Sequence, residues 1–453
     1  MQPWDHHSVL IVNNWLSGFW TLVRCRATLH KHATPNRLPA TVTESALVSD
    51  APPAAASGRN RFAGTIILGH ALKHMYVSGL AAVLLPDIKE GLALSSTQYG
   101  TLATVQQTSS WGSTMTSGYL GDRFTRLTAI MLGLSLALTG ISYFVLGSAG
   151  SYAMLLPAML LVGVGPSLYH PPAIGALSRR FSSARAFWIS MHGAGGSLGE
   201  ATGPLIAGGL VTVLFYQDVL KLSLIPALIG AFAMWTLLKN DSARHAAGTA
   251  SFKQYLSSFT RLLRHRTILL ICTATAFRTV GQATATVFLP VYLREDLGYS
   301  AALVAVFISM AQVVGIGSQP LMGLLSDRLG YKRVLVPSLT IFAVLLLLIP
   351  VADGKLQLAI VILLLGTFLF SLHAILISAA SELTEQSMQS TIVSLIYASS
   401  FVGALSPTMA GVLADSTGLK STFLLAAALV GISAAILTLT NLPTARSRTP
   451  ALT

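Results

Sequence analysis

The chain has 453 residues, of which 53% are hydrophobic and only 10% are charged, and its formal net charge is +13. Soluble domains carry roughly a quarter charged residues, so this composition excludes an ordinary soluble protein and indicates one that lies in a membrane. The two cysteines, Cys25 and Cys272, are far apart in the sequence, which gives no basis for a disulfide framework.

Residues 1–61 precede the first long apolar segment. Their apolar run at 8–23 is short for a membrane span and lacks the basic start of a secretory signal peptide. The composition then turns to Pro, Ala, Ser and Thr, which predicts a disordered tail on the cytoplasmic side. We assign this tail no function, and whether it belongs to the mature protein stays open.

Twelve apolar stretches are long enough to cross a bilayer, for which about 20 helical residues suffice. They predict an all-α polytopic membrane protein, because a spanning segment must satisfy its own backbone hydrogen bonds. The spans are 62–86, 97–120, 127–147, 151–177, 185–213, 218–238, 267–292, 301–324, 333–352, 356–381, 388–414 and 419–441. The predicted organisation is an N-terminal six-helix bundle at 62–238, a cytoplasmic central loop at 239–266, a C-terminal six-helix bundle at 267–441 and a cytoplasmic C-terminal tail at 442–453.

The distribution of Lys and Arg predicts the orientation. With the N-terminus in the cytoplasm, 22 of the 29 basic residues lie on the cytoplasmic side, five lie on the opposite side, and Lys73 and Arg278 lie inside spans. Basic residues concentrate in cytoplasmic loops, so both termini are predicted to be cytoplasmic, in a plasma membrane, the bacterial inner membrane being favoured. The excess charge orients the protein against lipid headgroups and does not indicate a nucleic-acid partner.

The first span carries His70, Lys73 and His74 at positions i, i+3 and i+4, which share one helical face. Ionisable groups inside a membrane are costly and usually face a wet cavity or a partner. A histidine taken alone is equally compatible with an interhelical hydrogen bond. The set, which extends to the fourth, seventh and tenth spans, favours a shared polar pathway for substrate and protons.

The loop after the second span contains a motif that recurs 205 residues later. The first copy comprises Gly118, Asp122, Arg123 and Arg126, and the second comprises Gly323, Asp327, Arg328 and Lys332. Each copy ends one apolar segment and begins the next, so the motif predicts two related halves.

The fourth span carries His170, and the fifth carries His192 and Glu200. A run of small residues and proline in the fifth span includes Gly199, Gly203, Pro204 and Gly208. Such a run permits close helix packing and a local bend. It is compatible with a packing seam alone, or with a seam that positions Glu200 to carry a proton.

The second half repeats this arrangement at an offset of 203 to 205 residues. Arg278 in the seventh span corresponds to His74, His373 in the tenth to His170, and Pro407 in the eleventh to Pro204. Arg278 can bind a carboxylate or phosphonate through two hydrogen bonds. A midplane cavity with Lys73, His74 and Arg278 would be electropositive and would attract anions.

The twelve spans, the two halves and the doubled loop resemble the major facilitator superfamily of secondary transporters over residues 62–441. The resemblance implies that the first, fourth, seventh and tenth helices line a central cavity. It also implies that the doubled loop, with Asp122 and Asp327 as its acidic members, couples the halves during alternating access. The first copy has Thr125, where the family pattern usually has glycine.

Two narrower resemblances concern function. The segments Leu68-Gly69-His70 and Pro166-Ser167-Leu168-Tyr169-His170-Pro171 are similar to the fosmidomycin-resistance-type branch of that superfamily. The segment Gly199-Glu200-Ala201-Thr202-Gly203-Pro204 resembles the antiporter motif of drug/proton exchangers. Together they imply efflux coupled to protons.

The sequence therefore predicts a secondary active transporter without enzymatic activity or cofactor, expected to be monomeric. The favoured function is proton-coupled export of a small organic anion or amphiphilic compound. Import of such an anion, or a non-transporting receptor on the same scaffold, are alternatives. No metal site is predicted, because the histidines lie dispersed on different spans.

Overall fold

The structure is a computed structural model that describes residues 53–181, 185–239, 261–383 and 389–442. Within these ranges the chain forms helices and no strand. Helix is the expected outcome for long apolar segments, because a helix satisfies its backbone hydrogen bonds within the segment. The predicted all-α fold is confirmed.

The first half contains six spans. They are Pro53–His74 continued by a π-helical stretch Met75–Leu80 and by Ala81–Gly91; Ser96–Arg123; Thr128–Ser148; Tyr152–Ser167 with His170–Arg180; Arg185–Leu210; and Tyr216–Leu222 with Leu224–Leu238. The first helix begins at Pro53, whereas the sequence predicts its start at residue 62. The rest of the predicted N-terminal tail, the central loop at 240–260 and the C-terminal residues after 442 lie outside the described residues.

The second half repeats the pattern. Its spans are Arg266–Glu295; Ala301–Leu329; Tyr331–Leu348 with the 3-10 turn Ile349–Val351; Lys355–Leu369 with Leu372–Ser381; Gln389–Ser400, the 3-10 stretch Phe401–Leu405 and Ser406–Thr417; and Lys420–Leu439.

Among the described residues, ten helices are long and apolar enough to cross a membrane. The two remaining long helices are the second span, with 28 residues, and the fifth, with 26. The second span is rich in Thr, Ser and Gln and the fifth in glycine, which lowers their hydropathy. Both have the length of a transmembrane helix and contact the other half, where small and polar residues are useful.

Three spans depart from regular α-helix next to a residue of the predicted pathway. The first becomes π-helical immediately after His74. The fourth is interrupted just before His170, and the tenth just before Leu372 and His373. Interruptions free backbone carbonyls, which must find other partners inside a membrane. Irregular backbone at membrane depth is tolerated where it lines a cavity or is buried in protein, and it often marks a site.

Neighbouring side chains satisfy the freed carbonyls. The hydroxyl of Tyr143 donates to the Tyr76 carbonyl at 2.8 Å, and that of Ser135 donates to the Gly165 carbonyl at 2.6 Å. In the tenth span, Arg278 Nη2 and Gln282 Nε2 both donate to the Leu369 carbonyl at 2.8 Å.

Ion pairs and hydrogen bonds join the two halves at the end of the protein that carries the 92–95 loop, here called the closed end. Lys89 Nζ lies 2.6 Å from Glu295 Oε1, and Arg294 Nη2 lies 2.6 Å from Asp87 Oδ1. Asp415 accepts hydrogen bonds from the backbone nitrogens of Ser96 and Thr97, at 2.7 and 2.8 Å. Small residues allow the halves to pack closely at this end, with Gly208 against Ala305 and Gly100 against Pro407.

Candidate functional site

Six of the eight predicted pathway residues meet in one cluster within the first half. His70, Lys73 and His74 come from the first span, His170 from the fourth, and His192 and Glu200 from the fifth. His70, Lys73 and His192 are almost fully buried. The cluster lies where the first span turns π-helical and the fourth is interrupted, so irregular backbone surrounds it.

The Lys73 ammonium is the central donor of this cluster. Its Nζ lies 2.9 Å from His170 Nε2 and 3.2 Å from His74 Nε2. An ammonium group has hydrogens and no lone pair, so both imidazole nitrogens act as acceptors. Two neutral histidines therefore solvate a buried cation that would otherwise be strongly penalised.

The remaining contacts assign the other histidine protons. His70 Nδ1 lies 2.7 Å from the His192 carbonyl oxygen, which can only accept, so Nδ1 carries the proton and Nε2 keeps its lone pair. His70 Nε2 lies 3.5 Å from His170 Nε2, so two acceptor nitrogens face each other. His74 uses Nε2 as an acceptor, and its Nδ1 lies 2.9 Å from Glu200 Oε1.

Packing of the fifth span on the first brings Glu200 to His74. A Cβ added at Gly203 would lie 2.7 Å from the Met75 carbonyl oxygen, and one at Gly196 would lie 2.6 Å from His70 Cε1. Gly199 faces the Ala71 carbonyl in the same way. The glycines therefore act as a close seam between the two helices, and this seam holds the carboxylate against the imidazole.

One expectation from the sequence is wrong. The histidines were expected to be too dispersed for a metal-binding cluster. In the structure His70, His74 and His170 each offer a ring nitrogen within 4.8 Å of the others. Tertiary packing of the first and fourth spans joins residues that lie 96 to 100 positions apart in the sequence. Spacing along one helix could not reveal this contact.

The other two pathway residues, Arg278 and His373, lie in the second half. Arg278 is 1% exposed, and its Nη2 donates to the interrupted tenth span, but its buried Nε has no hydrogen-bond partner among the described residues. The His373 ring stands edge-on to the Tyr397 ring at 5.0 Å between centroids. These residues make their contacts within the second half, whereas Lys73 makes its hydrogen bonds within the first.

The doubled loop is described only in part. The side chains of Gly118, Asp122, Arg123 and Asp327 lie outside the described side chains, so the gating role of the motif stays a prediction. Arg126 and Arg328 are exposed, and Gly323 and Lys332 are half-buried. Gly330 ends the eighth span with φ of +89°, a conformation natural to glycine. At the matching Thr125 the first copy forms the 3-10 turn Thr125–Leu127 instead.

The remaining motif residues pack helices. Pro204 and Pro407 are buried within the fifth and eleventh spans. The ionic contacts of the closed end were not predicted from the sequence, where Lys89 and Arg294 are two of the five basic residues predicted to lie on the side opposite the cytoplasm. An available signal was the grouping of Asp87, Lys89 and Glu90 at the end of the first span, opposite Arg294 and Glu295 in the repeat-related seventh.

Fold and site together define a polytopic helical membrane protein with a buried polar site between irregular helices. The family model of the Major Facilitator Superfamily matches residues 66–323 and 272–452. The chain belongs to this superfamily, and it is a transporter of that family.

Curated relatives agree with this assignment. An uncharacterized MFS-type transporter, YfnC of Bacillus subtilis (strain 168), is 26% identical over 369 residues, which cover 79% of this chain and 88% of that protein. The fosmidomycin resistance protein of Escherichia coli (strain K12) is 23% identical over 366 residues, which cover 79% and 87%. The probable sulfoacetate transporter SauU of Cupriavidus necator is 24% identical over 271 residues, which cover 56% and 61%.

Solved structures share the fold. A bacterial homolog of the human lysosomal transporter Spinster, in an inward-facing and unoccupied conformation, superposes with a TM-score of 0.70 at 15% identity, covering 86% of this chain and 97% of that one. The nucleoside transporter NupG gives a TM-score of 0.66 at 12% identity, covering 84% and 98%. At these identities the likeness concerns the fold alone.

Proposed function

We propose that this protein is a proton-coupled exporter of small organic anions or of amphiphilic compounds with an acidic group. The observation that carries the proposal is that buried cations outnumber carboxylates among the described pathway residues. Lys73 is 5% exposed and Arg278 is 1% exposed. In the described part of the chain, the carboxylate of the site is that of Glu200, which contacts His74 and not either cation. An anionic substrate would supply the missing charge.

Arg278 is the stronger of the two anion-binding candidates. The Leu369 carbonyl accepts from one of its nitrogens, so part of its role is to hold the interrupted tenth span. The buried Nε has no hydrogen-bond partner among the residues that the structure describes. A guanidinium offers five donors in a planar fork that fits carboxylate, phosphonate or sulfonate oxygens. A bound acid would therefore pair with the Nε donor, which the described residues leave without a partner.

Glu200, His74 and Lys73 form a chain through which a proton could couple to transport. The imidazole lies between the carboxylate oxygen at 2.9 Å and the ammonium at 3.2 Å. Protonating Glu200 would remove the negative charge that balances the cluster, so anion binding would become more favourable as a proton enters. Release of that proton would then weaken the hold on the anion. Coupling of this sign carries the proton and the anion in the same direction and supports the import alternative, whereas export needs the proton and the anion to bind in alternate steps.

Export is the favoured direction because one relative is a fosmidomycin resistance protein. Import remains the alternative, since a relative named as a probable sulfoacetate transporter does not fix a direction. If the termini are cytoplasmic as predicted, the closed end is periplasmic, and alternating access requires the site to be reached from one side at a time. Rocking of the two halves would then expose the site to the other side.

The test is transport in inverted membrane vesicles and in proteoliposomes, with EDTA present throughout. The panel consists of fosmidomycin, sulfoacetate and simple mono- and dicarboxylates, and a pH-sensitive dye reports proton movement. We expect an imposed proton gradient to drive at least one acid across the membrane in the direction opposite to the protons. Arg278→Met should reduce that rate about 30-fold or more, since removing one partner of a buried charged contact costs about 2 kcal/mol or more.

Lys73→Met should reduce the same rate, while Gln217→Ala, outside both groups, should leave it unchanged. Transport of every active acid at the wild-type rate by Arg278→Met would contradict the anion-binding role. Anion movement without proton movement would contradict the coupling and leave the transporter assignment in place.

A further inference from the structure

We propose that His70, His74 and His170 form a binding site for one divalent transition-metal ion of the Zn²⁺, Co²⁺ and Ni²⁺ class. In this proposal the Lys73 ammonium and the metal ion compete for the same imidazole lone pairs. The site goes beyond anion transport, because metal binding can be measured without any transported substrate.

The spacing of the nitrogens suits a metal with tetrahedral geometry. Zn–N bonds of about 2.0–2.1 Å place two nitrogens of a tetrahedron about 3.3–3.4 Å apart. His70 Nε2 and His170 Nε2 are 3.5 Å apart. The three candidate nitrogens all lie within 4.8 Å of one another, so His74 needs to approach by little more than 1 Å.

The proton positions also suit a metal. The His70 Nδ1 proton is held by the His192 carbonyl at 2.7 Å, which leaves Nε2 free to coordinate. His74 Nδ1 lies 2.9 Å from Glu200 Oε1 as an ionic contact without hydrogen-bond geometry, and His74 Nε2 accepts from Lys73. Metal-bound histidines usually place their second nitrogen against a carbonyl or a carboxylate, which fixes the tautomer and the ring orientation. Both kinds of partner are present here.

Two acceptor nitrogens that face each other are unfavourable unless a cation lies close to both. The Lys73 ammonium is hydrogen-bonded to His170 and His74, so it serves two of the three imidazoles. A metal ion would bond to all three and leave a fourth position for water or an anion. Imidazole ligands favour Zn, Co and Ni over Mg or Ca, which prefer oxygen.

A metal ion cannot enter while the Lys73 ammonium remains among the imidazoles, because two cations at this distance repel strongly in a low dielectric. The ammonium must therefore move away along its flexible stem or lose its proton. Removal of the Lys73 charge should consequently improve metal binding while it damages anion transport. The two proposals predict opposite effects of one substitution.

The experiment uses the full-length protein, purified in detergent with an affinity tag that contains no histidine. The four histidines of the first 61 residues, His6, His7, His30 and His32, are replaced by Asn to give the parent protein. Co²⁺ titration is followed by visible d–d absorption, which reports coordination geometry, and Zn²⁺ competition gives its affinity. The variants are Lys73→Met, Lys73→Met with His170→Asn, and Lys73→Met with His373→Asn.

We expect the parent to bind one Co²⁺ per chain and Lys73→Met to bind it about tenfold more tightly or better. His170→Asn in that background should weaken binding about tenfold or more, while His373→Asn, its repeat-related control, should leave metal binding unchanged. If the His170 double variant is not monodisperse, His70→Gln replaces it. Absence of one-to-one binding in both parent and Lys73→Met overturns the proposal, and so does binding that survives His170→Asn and His70→Gln. Either failure leaves anion transport in EDTA untouched.

Discussion

The two halves share a backbone plan and differ in the chemistry of their sites. At the offset that relates His74 to Arg278, His70 corresponds to Ala274 and Lys73 to Phe277. At the offset that relates Pro204 to Pro407, two more ionisable residues have uncharged counterparts, since His192 corresponds to Leu395 and Glu200 to Gly403. The first half thus holds four histidines, a lysine and a glutamate, whereas the second holds one guanidinium and one histidine.

The difference shows that two repeat-related halves can share a fold while their buried side chains have different chemistry. Both halves interrupt the fourth helix of the bundle just before a histidine-bearing segment, and both bury a cation nearby. In the first half, groups that exchange protons surround the cation. In the second, Arg278 keeps its charge under all physiological conditions. We infer that the first half responds to protons and metal ions and that the second supplies a constant attraction for anions.

The largest effect should come from Glu200→Gln. This substitution removes the titratable carboxyl group of the first half, so that the position becomes uncharged like its counterpart in the second half, Gly403. The amide keeps the shape and cannot release a proton. We expect transport driven by a proton gradient to fall about 100-fold, the usual scale for the loss of a positioned acid–base group, with much less effect on anion exchange at constant pH. Both rates are measured in the same proteoliposomes.

Asp218→Asn, at the start of a short helix outside the cluster, is the control for a lost carboxylate. If Glu200→Gln keeps its full response to the proton gradient, then Glu200 does not carry the coupled proton. A loss of both driven and exchange transport would assign the residue to binding rather than coupling.

The fold could be derived from sequence because hydrophobic length and repetition are local signals. Twelve spans followed from composition, including the second and fifth, whose polar residues lower their hydropathy. The offset of 205 residues between the loop copies predicted the division of the chain into two related halves. The loop conformations differ where the motif differs, since Gly330 adopts positive φ and Thr125 begins a 3-10 turn.

The site could be derived only as a set of residues. Spacing placed His70, Lys73 and His74 on one helical face, but it could not show that His170 lies 2.9 Å from Lys73. It also could not show that Arg278 donates to the Leu369 carbonyl, because that carbonyl is free only where the tenth helix is interrupted. Contacts of this kind depend on how helices pack, which periodicity does not encode.

Gly203→Ala should have an intermediate effect. It tests the close glycine contact between the first and fifth spans, which belongs to the first half. The added Cβ would lie 2.7 Å from the Met75 carbonyl and 2.9 Å from Gly79 Cα, so the first and fifth spans must separate. Overpacking of this kind costs about 1–3 kcal/mol. The measurement is thermal unfolding of the purified protein in detergent.

Gly317→Ala is the matched control, because nothing lies within 4 Å of a Cβ added there. Its midpoint should stay at or slightly above that of wild type, since alanine favours helix. An unchanged midpoint for Gly203→Ala would mean that the seam is looser than the structure shows. The contact between His74 and Glu200 would then need another explanation.

The smallest effect should come from Asp415→Asn at the closed end. Two oxygens of Asp415 accept from the first backbone nitrogens of the second span, so a carboxylate of one half caps a helix of the other. Its charge interacts favourably with the helix N-terminus by about 0.3–1 kcal/mol, and Ser95 and Gln98 keep their own capping box. We therefore expect the closed end to open only two- to fivefold more often. The measurement is the alkylation rate of a cysteine placed at Thr104 in a Cys25→Ser, Cys272→Ser background. Asp353→Asn, in the loop before the tenth span, serves as the control. An alkylation rate that stays unchanged in Asp415→Asn would show that this cap does not hold the two halves together.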